Sequence, residues 1–245
     1  MNRKIDRRQA LGAIGTVSLG GLLAACGGDS GSGSTSVATT AGETATVEPK
    51  TTASDATSTL FDDSASCALT IEQTEGPYYF DADKVRSDIR EDRKGARLRL
   101  ALRVRDANTC KPLPDAVVDI WHADAGGAYS GFDDAATKTR YLRGAQVTNK
   151  DGVVEFTTIY PGSYQGRTVH IHVKVHLNNA DVLTSQLYFD DDVSNAVYER
   201  AEYSTRGERD QANESDGIYD PSLVMTTKRD GDGYLGVMSF DVRTA

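Results

Sequence analysis

The sequence predicts an all-β fold, a single antiparallel β-sandwich with long loops and one short helix, preceded by a signal peptide and a flexible linker. Three observations predict it. Apolar and polar residues alternate with period two in one segment after another from residue 96 onward. Turn signals separate these segments. No long helical period intervenes, so the strands follow one another as in an antiparallel sandwich.

In chain order, "ARLRLALRVRD" sets Leu98, Leu100, Leu102 and Val104 on one face and Arg97, Arg99, Arg103 and Arg105 on the other. Successive side chains of a strand point to opposite faces, so this is a half-buried strand. "DAVVDIWHA" is a second, with Trp121 expected to anchor the core. "GAQVTNKDGVVEFTTI" reads as two strands around an "NKDG" turn. "TVHIHVKVH" alternates again, with Val169, Ile171, Val173 and Val175 on one side. "DVLTSQLYF" and "YLGVMSFDVR" complete the set, and "DVSNAVYERAEY" is the one short helix. These elements place the domain at residues 67–245. At 245 residues the chain is long enough for one good core.

Residues 1–26 stand apart. "MNRKIDRRQ" is a basic start and "ALGAIGTVSLGGLLAA" an apolar stretch of signal-peptide length, too short and Gly-rich for a comfortable membrane span. The Arg7-Arg8 pair points to the twin-arginine export route, although Ala10 departs from the fuller pattern. "LAAC" resembles a bacterial lipobox, which implies cleavage before Cys26 and a lipid anchor on its thiol. The other reading is an ordinary cleavage site with a chance cysteine. Residues 27–66 are rich in Gly, Ser, Thr and Ala and carry almost nothing to bury, so they read as a flexible tether. Export to a cell-surface or extracellular location is the expectation.

Export changes the cysteine arithmetic. With Cys26 lipidated, Cys67 and Cys110 remain, and in an oxidising compartment two leftover thiols most simply pair. Two free buried thiols are the alternative. The net charge is −9, and residues 1–26 carry Arg3, Lys4, Arg7 and Arg8 against Asp6, which leaves −12 on the rest. So acidic a domain offers no footprint for nucleic acid, nor for anionic lipid apart from the anchor.

Three of the four histidines lie in "GRTVHIHVKVH". His170 and His172 point to the same strand face, about 7 Å apart along the chain. They could share a metal ion, or simply form the polar side of a strand. Tyrosines stand near: Tyr164 in "TTIYPGSYQGRTVHIH", and Tyr129 in the Gly-rich loop of "DIWHADAGGAYSGF". Taken singly, each tyrosine reads equally as a turn or surface residue.

The ordered set "TEGPYYF", "DIWHADAGGAYSGF", "TIYPGSY", "RTVHIHVKV" and "TSQLYF" resembles the intradiol ring-cleavage dioxygenases. The resemblance covers roughly residues 67–245. It implies one Fe(III) per domain, with Tyr129 and Tyr164 as phenolate ligands and His170 and His172 as imidazole ligands. It implies that Tyr129 leaves the iron when a catecholate chelates it and takes up a substrate proton. It implies that Arg167 stabilises negative charge on the substrate and that Gln186 supports the site. The implied reaction is cleavage of catechol-type diols by O2 to cis,cis-muconate-type diacids. Tyr160 competes with Tyr164 by proximity but is expected to pack, and His122 and His176 are expected to be structural. Pro77, Tyr78 and Tyr79 either line the pocket or pack on the strand edge. The linker stands where cytosolic relatives have a helical portion. The family's usual oligomer is therefore in doubt, and an open cleft for larger, substituted catechols is expected. The alternatives are a sandwich lipoprotein that binds a metal or an aromatic ligand without turnover, and a zinc hydrolase, for which no acidic base is evident.

Overall fold

The computed structural model describes residues 35–38, 44–47, 61, 67–80, 84–132, 138–164, 166–178, 180–204, 209 and 211–244. The leader 1–26 with its twin-arginine pair, Cys26 and most of the linker 27–66 lie outside them. Within the linker, β1 (Thr35–Ala38) and β2 (Thr44–Val47) pair as a short antiparallel ladder.

The domain is built from β3 (Arg97–Asp106), β4 (Val117–Trp121), β5 (Arg143–Val147), β6 (Val153–Ile159), β7 (His170–Leu177), β8 (Ala180–Tyr188), β9 (Thr226–Asp230) and β10 (Gly233–Val242). One sheet has the order β6-β3-β10-β9 and the other β5-β4-β7-β8. The expected faces meet between them. Leu98, Leu100, Leu102 and Val104 of β3 are fully buried, with Val118 and Ile120 of β4 and Ile171, Val173 and Val175 of β7 in the same cluster. Each such side chain contributes about 1.5–3 kcal/mol of hydrophobic stabilisation. The all-β class therefore stands as read.

Four details differ from the sequence reading. First, β3 and β10 run parallel, Leu98 opposite Tyr234 and Val104 opposite Phe240, inside an otherwise antiparallel arrangement. A parallel pair needs a long crossover, and here the whole intervening chain supplies it. Second, the "NKDG" turn forms, with Asn149 Oδ1 accepting from the Asp151 and Val153 amides. Its two strands do not pair with each other, however. β5 pairs with β4 and β6 with β3, so the turn arches from one sheet to the other. The Val104 amide donates to the Gly152 carbonyl (2.8 Å) and docks the arch on β3. Third, the polar strand β9 pairs with β10 as an edge hairpin. Fourth, the helical segment divides into α1 (Asp191–Tyr198), capped by the Asp190 side chain, and α2 (Ala201–Ser204).

The arginine face of β3 is not simply solvated. Arg105 makes a two-pronged buried pair with Asp241 of β10 (2.7 and 2.9 Å), and the Arg103 guanidinium lies 4.7 Å from the centre of the Phe61 ring. Cys67 and Cys110 are joined in a disulfide, Cα–Cα 5.7 Å, which fastens the start of the domain to the turn after β3.

Candidate metal centre

The site lies on the outer face of the sheet β5-β4-β7-β8. Cross-strand register builds it. Arg143 faces Trp121, Trp121 faces His172, and His172 faces Gln186, so one row of side chains crosses all four strands. The adjacent pair on the same face is His170 and Tyr188. Because β7 buries Ile171 and Val173 on its inner face, period two sends both histidines outward. They are nonetheless only 3% and 1% exposed, because loops roof this face.

Three loops supply the roof. The turn after β4 is held by Asp124 Oδ1, which accepts from the Gly126 and Ala128 amides, and it carries Tyr129. The Pro161-Gly162 turn carries Tyr164. The two loops touch where Gly162 N donates to the Asp124 carbonyl (3.0 Å). A Cβ on residue 162 would meet that oxygen at 2.4 Å, so only glycine permits the approach. The third loop, residues 74–80, lays Tyr78 parallel to Tyr129 (centroids 4.4 Å) and Tyr79 against Trp121 (4.7 Å). Tyr78 thus packs on the two tyrosines of the loops, and Tyr79 packs on the sheet face at Trp121 and Lys174. Trp121 belongs to this aromatic cluster rather than to the sandwich core.

The donors converge. Tyr164 Oη lies 3.2 Å from His170 Nε2, and His170 Nε2 lies 3.2 Å from His172 Nε2. The Tyr129 ring is 5.5 Å from that of Tyr164, and its buried hydroxyl makes no hydrogen bond of good geometry. His170 Nδ1 lies 2.7 Å from the Thr168 carbonyl. A carbonyl only accepts, so Nδ1 carries the proton and Nε2 presents its lone pair to the cluster. His172 is oriented differently. Its Nδ1 has no partner, and its ring lies flat on Trp121 (interplanar 4°, 5.0 Å). Gly76, at φ +73, brings its backbone against the edge of the same imidazole; a Cβ there would lie 3.1 Å from Cε1.

Arg167 reaches the same point. Its Nε donates to Asp216 Oδ2 (2.8 Å) and its Nη2 to Gln186 Oε1 (2.6 Å). Nη1 is left facing Tyr164 Oη (3.5 Å) and His170 Nε2 (3.4 Å). Gln186 in turn donates to the Thr74 carbonyl (3.1 Å). All six residues picked out in the sequence, Tyr129, Tyr164, Arg167, His170, His172 and Gln186, are therefore brought together.

Burial governs the electrostatics. It lowers the His170 imidazole to about 3 and holds His172 well below its ordinary value, so both rings are neutral donors. It also raises Tyr129, with the neighbouring Tyr164 phenol adding to the effect, and raises Tyr164 against the pull of Arg167. Without a cation both phenols keep their protons. Burial works against the Arg167 charge, but Tyr164 and Asp216 outweigh it and hold its pKa above the ordinary value.

The donor set fits a metal. Two neutral imidazoles suit a first-row transition ion, and phenol oxygens, hard when ionised, suit the ferric state. A bound cation would favour loss of their protons. Among the described residues no group of three or more His, Cys, Asp or Glu could hold a metal, so the phenols are what complete this set.

Tyr160 and His122 behave as the structural residues they were expected to be. Tyr160 points into the core, its hydroxyl 2.8 Å from Ser194 Oγ. His122 bridges the sheets through Thr158 Oγ1 (2.7 Å), and burial lowers it to about 4. His176 is half-buried farther along β7. Sequence reasoning missed Asp216, Tyr188, Gln73 and Arg143. Tyr188, which donates to Gln73 Oε1 (2.7 Å), was available from period two, standing two residues after Gln186. Arg143, whose Nε and Nη2 hold Ser130 beside Tyr129 (2.9 Å each), needed the strand register. Asp216 lies in a distant loop with no local signal.

A family model described as Dioxygenase matches residues 74–209. Among solved structures, the chain is similar to an intradiol ring-cleavage dioxygenase from Tetranychus urticae, with 36% identity and a TM-score of 0.69 over 72% of this chain and 95% of that one. It is also similar to the dioxygenase domain of a dioxygenase carbohydrate-binding protein fusion from Streptomyces sp. SirexAA-E, with 34% identity and a TM-score of 0.59 over 73% and 100% of the two chains. A chlorocatechol 1,2-dioxygenase from Rhodococcus opacus is 32% identical over 123 residues, 42% of this chain and 48% of that protein. The chain thus spans about half the length of that curated relative.

Proposed function

Because this chain belongs to the intradiol ring-cleavage dioxygenase family, we propose that it opens catechol-type diols between their two hydroxyl-bearing carbons. Fe(III) is the cofactor, one ion per domain, and O2 the oxidant. Both oxygen atoms of O2 enter the product, a cis,cis-muconate-type diacid, so the diol and O2 together account for every atom of it. The observation that carries this reading is the convergence of Tyr164 Oη, His170 Nε2 and His172 Nε2 at successive separations of 3.2 Å, beside a buried, unbonded Tyr129 hydroxyl.

In this reading Tyr129, Tyr164, His170 and His172 hold the iron. A ferric ion there supplies a Lewis-acidic centre for the two diol oxygens and the redox chemistry that ring opening by O2 requires. The protein supplies the rest. Neutral imidazoles and two phenolates leave a small net charge on the site. Tyr129, on a Gly-rich loop, would be the base that accepts one of the diol's protons. Arg167 turns Nη1 to the substrate and stabilises negative charge that develops on it, in a site from which roofing aromatics exclude water. Gln186 holds the guanidinium in that orientation.

The relevant setting is outside the cytoplasm. We read residues 1–26 as an export leader of the twin-arginine type, with a lipid anchor at Cys26 and residues 27–66 as the tether. The Cys67–Cys110 disulfide supports this, because such bonds persist in oxidising compartments.

The visible absorption spectrum of the iron-loaded protein tests the reading, recorded before and after catechol is added under nitrogen. Tyrosinate bound to Fe(III) is expected to give a charge-transfer band that moves to longer wavelength with catechol and returns when O2 is admitted. A protein that stays colourless after iron is added anaerobically and reoxidised would sink it.

A further inference from the structure

We propose that Asp216 is a positioning residue that aims Arg167 and His170 together at the donor cluster. The proposal rests on the dioxygenase reading and concerns a residue beyond the 74–209 segment that the family model matches.

Asp216 sits next to the short helical turn Asn213–Ser215, and its side chain is 2% exposed. One carboxylate oxygen, Oδ2, accepts from Arg167 Nε (2.8 Å) and from the Thr168 amide (2.9 Å). The other, Oδ1, accepts from the Ile218 amide (3.1 Å) and fixes the loop that carries it. Asn213 adds a second brace, accepting from Thr168 Oγ1 (2.8 Å) and donating through Nδ2 to the Phe189 carbonyl (2.8 Å). Thr168 is thus held at its amide and its hydroxyl.

Two consequences reach the site. Thr168 offers its carbonyl to His170 Nδ1, so holding Thr168 selects the tautomer whose Nε2 lone pair faces the cluster. The Arg167 guanidinium has three nitrogens. Asp216 takes Nε and Gln186 takes Nη2, so the planar guanidinium has one orientation, with Nη1 toward Tyr164 and His170. One carboxylate therefore sets both a ligand and the nearby cation. A buried ion pair is weak evidence for stability but can specify geometry, and here the geometry is that of the site.

The test uses Asp216→Asn, Arg167→Gln and the double variant in the full chain, with two independent readouts. In the metal-free protein, imidazole nitrogen NMR is expected to show His170 protonated at Nδ1 in the parent and as a tautomer mixture in Asp216→Asn. In the iron-loaded protein, Asp216→Asn is expected to lower kcat with catechol about 10–100-fold, mainly without raising KM. In the Arg167→Gln background that loss should shrink without vanishing, because Asp216 acts partly through Arg167. An unchanged tautomer together with parent-level kcat overturns the proposal, and so do losses that simply multiply in the double variant. If Asp216→Asn does not fold, Asp216→Glu keeps the charge but displaces the carboxylate; parent-level kcat in that variant overturns the proposal too. An inactive, colourless parent counts against the dioxygenase reading alone, since the tautomer readout needs neither iron nor turnover.

Discussion

Tyr160 and Tyr164 stand four residues apart in the sequence and do opposite things. Tyr160 turns inward to Ser194, where its hydroxyl supports packing, and Tyr164 turns outward to His170. Phenylalanine at each position should separate the roles. Tyr160→Phe is expected to cost about 1 kcal/mol of stability and leave the iron-loaded spectrum unchanged, as read by urea unfolding and visible absorption. Tyr164→Phe is expected to remove a charge-transfer component and lower turnover by about 100-fold or more. A tyrosinate band that survives Tyr164→Phe and disappears in Tyr160→Phe would reverse the assignment. The site was largely legible at this scale because the strand period fixes which histidines share a face. The ordered motif set then indicated which tyrosines stand beside them. What supports the ligands was less legible. His172 is held by stacking on Trp121 and by the Gly76 backbone, and neither contact leaves a pattern in a single strand. Asp216 is contributed by a loop 46 residues after His170, and nothing in a short window signals such a contact.

At the scale of elements, the two tyrosine loops behave as one unit because Gly162 lets their backbones touch. Gly162→Ala would place a Cβ 2.4 Å from the Asp124 carbonyl and force the loops apart. Reacting groups displaced by about 1 Å lose rate by roughly a hundredfold, so kcat is expected to fall by about that factor. The secondary structure should persist, which far-UV circular dichroism can check. Parent-level activity in this variant would mean that the loops need not touch for the site to form. Strand positions were legible wherever one face is apolar, as in β3 and β7. Partners were not, since pairing is decided by the whole sandwich. The "NKDG" turn is correct local chemistry, yet it joins two sheets rather than two neighbours, because β3 and β4 each have an edge to offer β6 and β5. Strand β9 escaped notice because "TTKRD" has no apolar face. Its Lys228, Arg229 and Asp230 suit an exposed edge, where charge discourages pairing with other chains.

At the scale of the molecule, the buried histidines link stability to acid. His122 and His170 are lowered by burial to about 4 and about 3, and His172 is lowered in the same direction. Their folded-state values lie below the unfolded value of about 6.5, so the stability they confer is complete above that pH and is lost as pH falls toward the folded values. Within that window each contributes a slope of about 1.4 kcal/mol per pH unit, and the urea midpoint of the metal-free protein should drop markedly between pH 7 and pH 5. A flat profile would mean that these rings are not buried neutral. The disulfide acts on the same global equilibrium by another route. It closes a loop of 43 residues, and in the chain-entropy account a cross-link of that span stabilises by about 4 kcal/mol. Cys67→Ser together with Cys110→Ser should therefore lower Tm by roughly 10 °C. The site itself should survive, because the chain leading to its roof has other attachments. Thr70 N bonds to Asp241 O (2.9 Å), Ser185 Oγ to Ile71 O (2.7 Å) and Gln73 N to Thr184 O (2.8 Å). The expected outcome is a less stable protein that keeps its spectrum and its turnover below the new Tm. A spectrum lost at low temperature in that variant would show instead that the disulfide, and not these bonds, holds Tyr78 and Tyr79 over the cluster.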